Sequence, residues 1–157
     1  MMKKNSQTTI LLFDFSWVLA FPQSRNTGAS AAYKQAKTNR DPWQKYLELN
    51  NELIDFVKKQ DSLSSYIFSA SSKKMLTEMR THLIPPFIEI FSSKKLSIYK
   101  YQPESYKRIA KILDTAPEQI LFIDDSKSNI QAAHKAGMQT IHFLNNQDFI
   151  KKALNLL

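Results

Sequence analysis

The sequence predicts an α/β protein: a three-layer, Rossmann-like parallel sheet with helices on both faces and a small helical cap insertion. Short apolar runs alternate along the chain with segments of helical periodicity, and this alternation is typical of βαβ units. The length of 157 residues suits one domain that can bury about two-thirds of its unfolded surface. Polar residues stand at the ends of several predicted strands, where open α/β sheets bind ligands.

The first third of the chain supplies one strand and one helix. Residues 8–13 form a continuous run of β-forming residues that ends at Asp14, as expected of a strand buried on both faces. Residues 21–40 are polar, so we expect a loop there. Residues 41–44, Asp-Pro-Trp-Gln, resemble a helix start with an aspartate cap and proline in the first position. We expect that helix to extend to residue 59.

The rest of the chain repeats the alternation of strand and helix. The predicted strands are residues 65–68, 87–91, 120–123 and 139–143. The predicted helices are residues 72–84, 103–113, 126–136 and 147–157. Ser69 follows the second strand and Asp124 and Asp125 follow the fourth. Together with Asp14, these side chains should meet at one edge of the sheet.

The composition excludes several classes of protein. Cysteine is absent, which removes disulfides, thiol nucleophiles and thiolate metal sites. No apolar run approaches the roughly 20 residues that a membrane helix needs, and the first nine residues lack the apolar core of a signal peptide. We therefore expect a cytoplasmic protein without a membrane segment.

The net charge of +8 favours anionic ligands. The basic residues are spread along the chain, without the basic stripe and interleaved aromatics of a nucleic-acid module, which argues against a nucleic-acid partner. With only two glycines, glycine-rich phosphate loops cannot occur. We expect an anionic ligand, and the sequence gives no indication of the oligomeric state.

Clustered carboxylates at the sheet edge indicate a metal site. Carboxylates brought together from different strands repel one another unless a cation or a proton lies among them. Oxygen ligands without cysteine select a hard cation, most simply Mg²⁺. Each carboxylate taken singly can equally be a helix N-cap, and that alternative stays open for any one of them.

Four motifs over about residues 8–145 resemble those of the haloacid dehalogenase-like (HAD) hydrolase superfamily. The family carries an apolar strand before Asp-x-Asp-Gly, a strand ending in Ser or Thr, a Lys-Pro-x-Pro segment before a helix, and an apolar strand before paired aspartates. The corresponding segments here are residues 11–19 (LLFDFSWVL), 66–69 (YIFS), 100–106 (KYQPESY) and 121–129 (LFIDDSKSN).

The resemblance implies a role for each matching residue. Asp14 would be the nucleophile that forms an aspartyl-phosphate, and Lys100 would neutralise charge on the phosphoryl oxygens and on Asp14. Ser69 would hydrogen-bond the phosphoryl group. Asn129 lies where some members carry another acid, and together with Ser69 and Lys100 it would bind the substrate.

The resemblance also implies the ligands of Mg²⁺. Asp14 and Asp125 would bind the ion directly, and Asp124 would support it or bind it through water. Ser16 would contribute its backbone carbonyl. The implied activity is Mg²⁺-dependent hydrolysis of a small phosphate monoester.

Two residues depart from the family pattern. Ser16 stands where phosphatase members carry the aspartate that acts as general acid and base, and a serine hydroxyl is poorly matched to that task. Trp17 replaces the following glycine. Two alternatives therefore stay open: a HAD-fold protein with weakened turnover that binds a phosphorylated ligand or protein partner, and a metal-independent dehalogenase-like hydrolase.

The spacing predicts a reduced cap. Only 55 positions separate Asp14 from Ser69 (69 − 14 = 55), which leaves little chain for a separate cap domain. We expect one domain over residues 1–157, with a cap insertion at about residues 17–60 that forms no sheet of its own and at most a small helical cover.

Overall fold

A five-stranded parallel sheet forms the centre of the computed structural model, which describes residues 7–24 and 26–157. The strands are β1 Ile10–Phe13, β2 Ala20–Pro22, β3 Leu47–Leu49, β4 Ser64–Ser69, β5 Glu89–Ser92, β6 Ile120–Asp124 and β7 Gln139–His142. The helices are α1 Ala29–Thr38, α2 Asn51–Lys58, α3 Lys73–Leu83, α4 Ser93–Leu96, α5 Pro103–Ile112, α6 Lys127–Lys135 and α7 Asn146–Ala153. The main sheet has the order β5-β4-β1-β6-β7, with every neighbouring pair parallel.

The central strand β1 explains the three layers. Its four residues are all buried and point alternately to the two faces of the sheet. Leu11 and Phe13 belong to a core that includes residues of α1, α2, α3 and α7. Ile10 and Leu12 belong to a second core with residues of α5 and α6. The predicted three-layer α/β fold is therefore confirmed.

The strand order also creates the position where ligands bind in such sheets. β1 pairs with β4 on one side and with β6 on the other. The later strands are therefore added first on one side of β1 and then on the opposite side. A crevice forms outside the carboxyl ends of the strands at such a switch point. Asp14, the residue after β1, lies in that crevice.

The structure of the segment from residue 17 to residue 60 differs from the prediction. The expectation that it forms no sheet is wrong, because β2 pairs antiparallel with β3. The predicted helix from residue 41 is also wrong: Trp43–Lys45 forms a single 3₁₀ turn, and α2 begins only at Asn51. Pairing with β2 holds the intervening residues extended, and the Asn50 side chain caps α2 by accepting the Leu53 N–H.

Residues 29–38, expected to lie in a loop, form α1. Its buried residues are Ala29, Ala32, Tyr33 and Ala36, at the i, i+3, i+4, i+7 spacing of one helical face. They pack in the same core as Leu11 and Phe13 of β1. The single-domain organisation with a reduced cap stays a prediction, supported by this shared core. Within the described residues, no helix has the length and apolar character needed to cross a bilayer.

Asn50 ties the turn after β1 to two helices. The side chain is almost fully buried, and its amide donates to the Val18 carbonyl at 2.8 Å and to the Asn146 side-chain oxygen at 2.7 Å. We predict that Asn50→Ala lowers the free energy of unfolding by about 2–4 kcal/mol, because it removes a helix cap worth about 1 kcal/mol and leaves buried polar groups unpaired at about 1–3 kcal/mol.

Urea denaturation measures this change. Asn155→Ala is the matched control, because Asn155 is exposed and its side chain donates, within the described residues, only to the Lys151 carbonyl. We expect this variant to change the free energy of unfolding by less than about 0.5 kcal/mol. Equal midpoints for the two variants would contradict the role given to Asn50.

Candidate active site

The polar residues that end the central strands meet in the crevice. Asp14 follows β1, Ser69 ends β4 and Asp124 ends β6. The backbone N–H of Asp14 donates to the Ile123 carbonyl at 2.8 Å, which continues the β1–β6 hydrogen bonding and places Asp14 beside Asp124. The sequence-predicted convergence of these residues is present in the structure.

Three carboxylates form the polar centre of the crevice. One oxygen of each of Asp14, Asp124 and Asp125 lies within 4.8 Å of the others. Asp124 is fully buried, Asp14 is nearly so, and Asp125 is exposed. The Lys100 ammonium lies 2.5 Å from Asp14 Oδ1 and 2.7 Å from Asp124 Oδ2. The single ammonium of Lys100 therefore lies beside a cluster of three carboxylates. The carboxylate oxygens of this cluster are donors that fit a hard divalent cation such as Mg²⁺.

The surroundings shift the protonation of this cluster. Burial raises the pKa of Asp14 to about 7, with Lys100 opposing the shift and Asp124 adding to it. Burial acts to lower the pKa of Lys100, but the charges of Asp14 and Asp124 outweigh it, so this pKa is raised. Partial desolvation of the Asp125 carboxyl and the charge of Asp124 raise the pKa of Asp125.

Hydrogen bonds from three elements hold the charged groups in place. Asp124 Oδ1 accepts the Ser126 N–H at 2.8 Å, and Oδ2 accepts the Asn129 side-chain amide at 3.0 Å. The buried Tyr106 hydroxyl donates to the Lys100 carbonyl at 2.6 Å. His142 Nε2 lies 2.8 Å from the Asp125 carbonyl, and sequence reasoning gave that histidine no part in the site.

Beside this cluster lies a cavity of about 240 Å³. The predicted residues Asp14, Ser16, Ser69, Lys100 and Asn129 all line it. Five further lining residues were not predicted: Gly28, Ala29, Ser30, Ala70 and Ser71. Asp125 instead borders a neighbouring cleft that Trp17 and Phe143 also line.

Ser16 and Trp17, the two departures from the family pattern, have clear structural surroundings. Ser16 Oγ accepts the backbone N–H of Ala29 at 3.0 Å, so it holds the start of α1 at the cavity. Trp17 has a φ of 66°, in the left-handed region that glycine occupies without strain. The side chain of Trp17 is half-buried, and the backbone N–H of Trp17 donates to the Ala20 carbonyl at 2.8 Å.

We predict that Asp14→Asn stabilises the metal-free protein at neutral and alkaline pH. The pKa of about 7 for folded Asp14 exceeds the ~3.9 of an unfolded chain, so the folded protein binds this proton more tightly. The carboxyl therefore destabilises the fold progressively as the pH rises from about 4 to about 7. Above about pH 7 we expect asparagine to raise the free energy of unfolding by up to about 4 kcal/mol.

Urea denaturation in a chelating buffer at about pH 4.5, 6 and 8 measures the effect. Asp61→Asn is the control, because Asp61 is an exposed acid at the opposite end of β4. A difference between Asp14→Asn and the unmodified protein that stays constant across these pH values would contradict the assignment.

Sequence comparison identifies relatives of the chain. A family model described as haloacid dehalogenase-like hydrolase matches residues 22–143. Enolase-phosphatase E1 of Lachancea thermotolerans is 34% identical over 99 residues, which are 58% of this chain and 45% of that protein. Enolase-phosphatase E1 of Persephonella marina is 33% identical over 95 residues, 57% of this chain and 41% of that protein. The matched stretch thus covers less than half the length of these curated relatives.

Solved structures share the fold. A HAD family enzyme from Bacteroides thetaiotaomicron, in complex with magnesium and inorganic phosphate, has a TM-score of 0.71 at 15% identity, over 91% of this chain and 98% of that one. L-2-haloacid dehalogenase from Xanthobacter autotrophicus has a TM-score of 0.68 at 15% identity, over 95% of this chain and 83% of that one. Identities this low show only that the fold is shared. The family model matches more than half of the chain, and the chain therefore belongs to the haloacid dehalogenase-like hydrolases.

Proposed function

We propose that the protein hydrolyses a small phosphate monoester with the help of Mg²⁺, through an aspartyl-phosphate on Asp14. The observation that carries the proposal is the buried Asp14 carboxylate at the switch point of the sheet, within contact distance of Lys100 and beside two further carboxylates. The enolase-phosphatase relatives support a phosphorylated substrate, since they align over more than half of this chain.

The chain's own residues supply the chemistry as follows. Asp14 attacks the phosphorus, and the bond to the ester oxygen breaks as the acyl phosphate forms. The ester oxygen leaves as an alkoxide, which takes its proton from solvent water. Lys100 and Ser69 hydrogen-bond the phosphoryl oxygens, and Asn129 fixes Asp124 so that Lys100 keeps its place. Water then attacks the phosphorus of the acyl phosphate and releases inorganic phosphate together with the free Asp14 carboxylate.

The cation would be held by Asp14, Asp125 and the Ser16 carbonyl, with Asp124 supporting it. When bound, Mg²⁺ supplies positive charge that offsets repulsion between the carboxylates and the phosphoryl oxygens. The three-carboxylate cluster favours this metal-dependent chemistry over the alternative of a metal-independent dehalogenase-like hydrolase, because a single carboxylate nucleophile would not need two more beside it.

The site lacks an efficient general acid. Ser16 already uses a lone pair to accept the Ala29 N–H, and its hydroxyl titrates far above neutral pH, so it cannot efficiently protonate an alkoxide leaving group. This observation favours the second candidate, a HAD-fold protein with weakened turnover that binds a phosphorylated ligand or protein partner. We therefore expect activated esters to react faster than alkyl esters.

Hydrolysis of p-nitrophenyl phosphate tests the proposal. We predict release of nitrophenol with Mg²⁺, loss of that release in excess chelator, and a fall of at least about 100-fold in Asp14→Asn, which lacks the nucleophile. Asp61→Asn is the control with the same change at an exposed acid. Turnover that continues unchanged in chelator would overturn the metal requirement, and full activity in Asp14→Asn would overturn the nucleophile.

The missing acid gives a prediction with a matched pair of variants. Ser16→Asp adds a carboxyl that can also accept the Ala29 N–H, whereas Ser16→Asn has the same shape and no acid. General acid–base catalysis is typically worth about 10²–10⁴-fold, so we expect Ser16→Asp to raise kcat for alkyl phosphates towards that range and Ser16→Asn to leave it low.

Trp17→Gly is combined with each variant, because the half-buried indole beside Ser16 can obstruct a new carboxyl. If Ser16→Asp and Ser16→Asn give equal rates in both backgrounds, another residue is the acid. Fast hydrolysis of alkyl phosphates by the unmodified protein, at roughly 1–10³ per second, would lead to the same conclusion.

A further inference from the structure

Trp17 carries a large side chain that has no packing role in either hydrophobic core. Its φ of 66° lies in the left-handed region, which favours glycine and strains a bulky residue. The indole is half-buried. Within residues 7–24 and 26–157 it belongs to neither core and makes no hydrogen bond or ring contact. A residue held in a strained conformation points to a function of its side chain when packing does not explain it.

Trp43, the other tryptophan of the chain, has the surroundings of a structural residue. It is only 7% exposed and belongs to the core that contains Phe13. Its ring meets the ring of His82 edge-on, with the centroids 5.2 Å apart. Burial of this kind stabilises a fold through the apolar area removed from water. Trp17 lacks these contacts, so the exposed part of its indole is available to a ligand.

The indole lines the cleft beside the carboxylate cluster. This cleft has a volume of about 440 Å³, and Asp125 lies in its wall together with Trp17. Carboxylate oxygens of Asp125 and Asp14 lie within 4.8 Å of each other, and Ser16, the residue before Trp17, lines the cavity that contains Asp14. The attacking and leaving oxygens of a phosphoryl transfer are roughly in line. The leaving group therefore extends away from Asp14, where side chains beyond the carboxylate cluster can contact it.

The wall of this cleft is mainly aromatic and apolar. Phe21 and Phe143 line it with Trp17, and Leu144 is 61% exposed there. The described residues of the wall include one acid, Asp125, and no lysine or arginine. An anionic leaving group would meet no compensating charge, whereas an uncharged aromatic ring can stack on the indole or meet the phenyl rings edge-on. The lining therefore favours an uncharged aromatic group.

We propose that Trp17 binds an aromatic ring on the leaving group, so that the substrate is an aryl phosphate monoester. This inference rests on the proposed phosphatase function and specifies its substrate class. Trp17 is then a specificity-determining residue, because it contacts the ring and takes no part in the transfer of the phosphoryl group.

Ser16 fits the same substrate class. Serine is a poor general acid, so an alkoxide leaves slowly from this site. A phenol has a pKa of about 10, as the tyrosine side chain does, which is far below the pKa of an alkyl alcohol. When the P–O bond breaks, the phenoxide keeps the electron pair and takes its proton from solvent water. Ser16 and Trp17, the two departures from the family pattern, therefore indicate one kind of leaving group.

Binding of phenyl phosphate and cyclohexyl phosphate tests the proposal. The two esters carry rings of similar size, and only the phenyl ring is flat and aromatic. Each is titrated calorimetrically into Asp14→Asn in Mg²⁺, because this variant lacks the nucleophile and leaves the ester intact. Inorganic phosphate is the reference for the phosphoryl site. We expect phenyl phosphate to bind about 3-fold or more tightly than cyclohexyl phosphate, the usual preference of a stacked aromatic pair.

Adding Trp17→Gly removes the indole and keeps the turn, because glycine adopts this φ without strain. We expect phenyl phosphate to lose about 5-fold or more in affinity, and inorganic phosphate to change less than about twofold. Trp17→Phe keeps a ring and should retain the preference for phenyl over cyclohexyl phosphate. Leu154→Ala, at an exposed apolar residue beyond the opposite end of α7, is the control and should change no affinity.

Steady-state hydrolysis gives a second measurement with Asp14 intact. Trp17→Gly should raise KM for phenyl phosphate by the factor seen in the titration, whereas kcat should change less, because the indole does not touch the reacting atoms. Circular dichroism checks that each variant is folded.

The possible failures are distinguishable. If Trp17→Gly weakens phenyl and cyclohexyl phosphate by the same factor, the cleft selects apolar bulk and the aryl class is wrong. If it leaves phenyl phosphate unchanged, or weakens inorganic phosphate equally, the indole does not bind the leaving group, while the proposed function stands. If the unmodified protein neither binds inorganic phosphate nor hydrolyses phenyl phosphate in Mg²⁺, the proposed function fails and the substrate class with it.

Discussion

The contact of the Lys100 ammonium with the Asp14 and Asp124 carboxylates is the interaction on which the rest of the site depends. All three groups are buried or nearly so, and burial of separate charges is among the most costly features a fold can contain. Further hydrogen bonds help to offset this cost. Asp124 accepts two hydrogen bonds at the start of α6, and Tyr106 fixes the backbone of Lys100.

This requirement explains why so much of the fold converges on one point. Lys100 lies just before α5, Asp14 follows β1 and Asp124 ends β6, so three separate elements must be in place before the charges are compensated. The aromatic rings of Phe68 and Phe122 lie within about 5.5 Å of the Lys100 nitrogen, and such rings stabilise a cation electrostatically. The net negative charge of the cluster remains, and the divalent cation that we propose for the site would offset it.

The sequence predicts the main sheet well because its strands are continuous apolar runs and its site residues stand where those runs end. Asp14, Ser69 and Asp124 could be assigned in this way. The cap segment could not: α1 has a buried stripe made largely of alanine, which carries little hydrophobic contrast, and β2 and β3 are three-residue strands that are stabilised by pairing across 24 intervening residues (47 − 22 − 1 = 24). Ser71 and Ser30 were missed because a polar residue lines a cavity only through what packs around it in the fold, and no local sequence pattern records that.

The cavity has opposite electrostatic character at its two ends, and the serines account for this. Near the sheet, carboxylates face a single lysine. The lining residues Gly28, Ala29, Ser30 and Ser71 carry no acidic side chain. An aspartate at position 16 would place a fourth carboxylate between these two ends, at the point where Ser16 now accepts the Ala29 N–H. Serine at position 16 is a poor general acid, but it adds no negative charge to the end of the cavity near the cap segment.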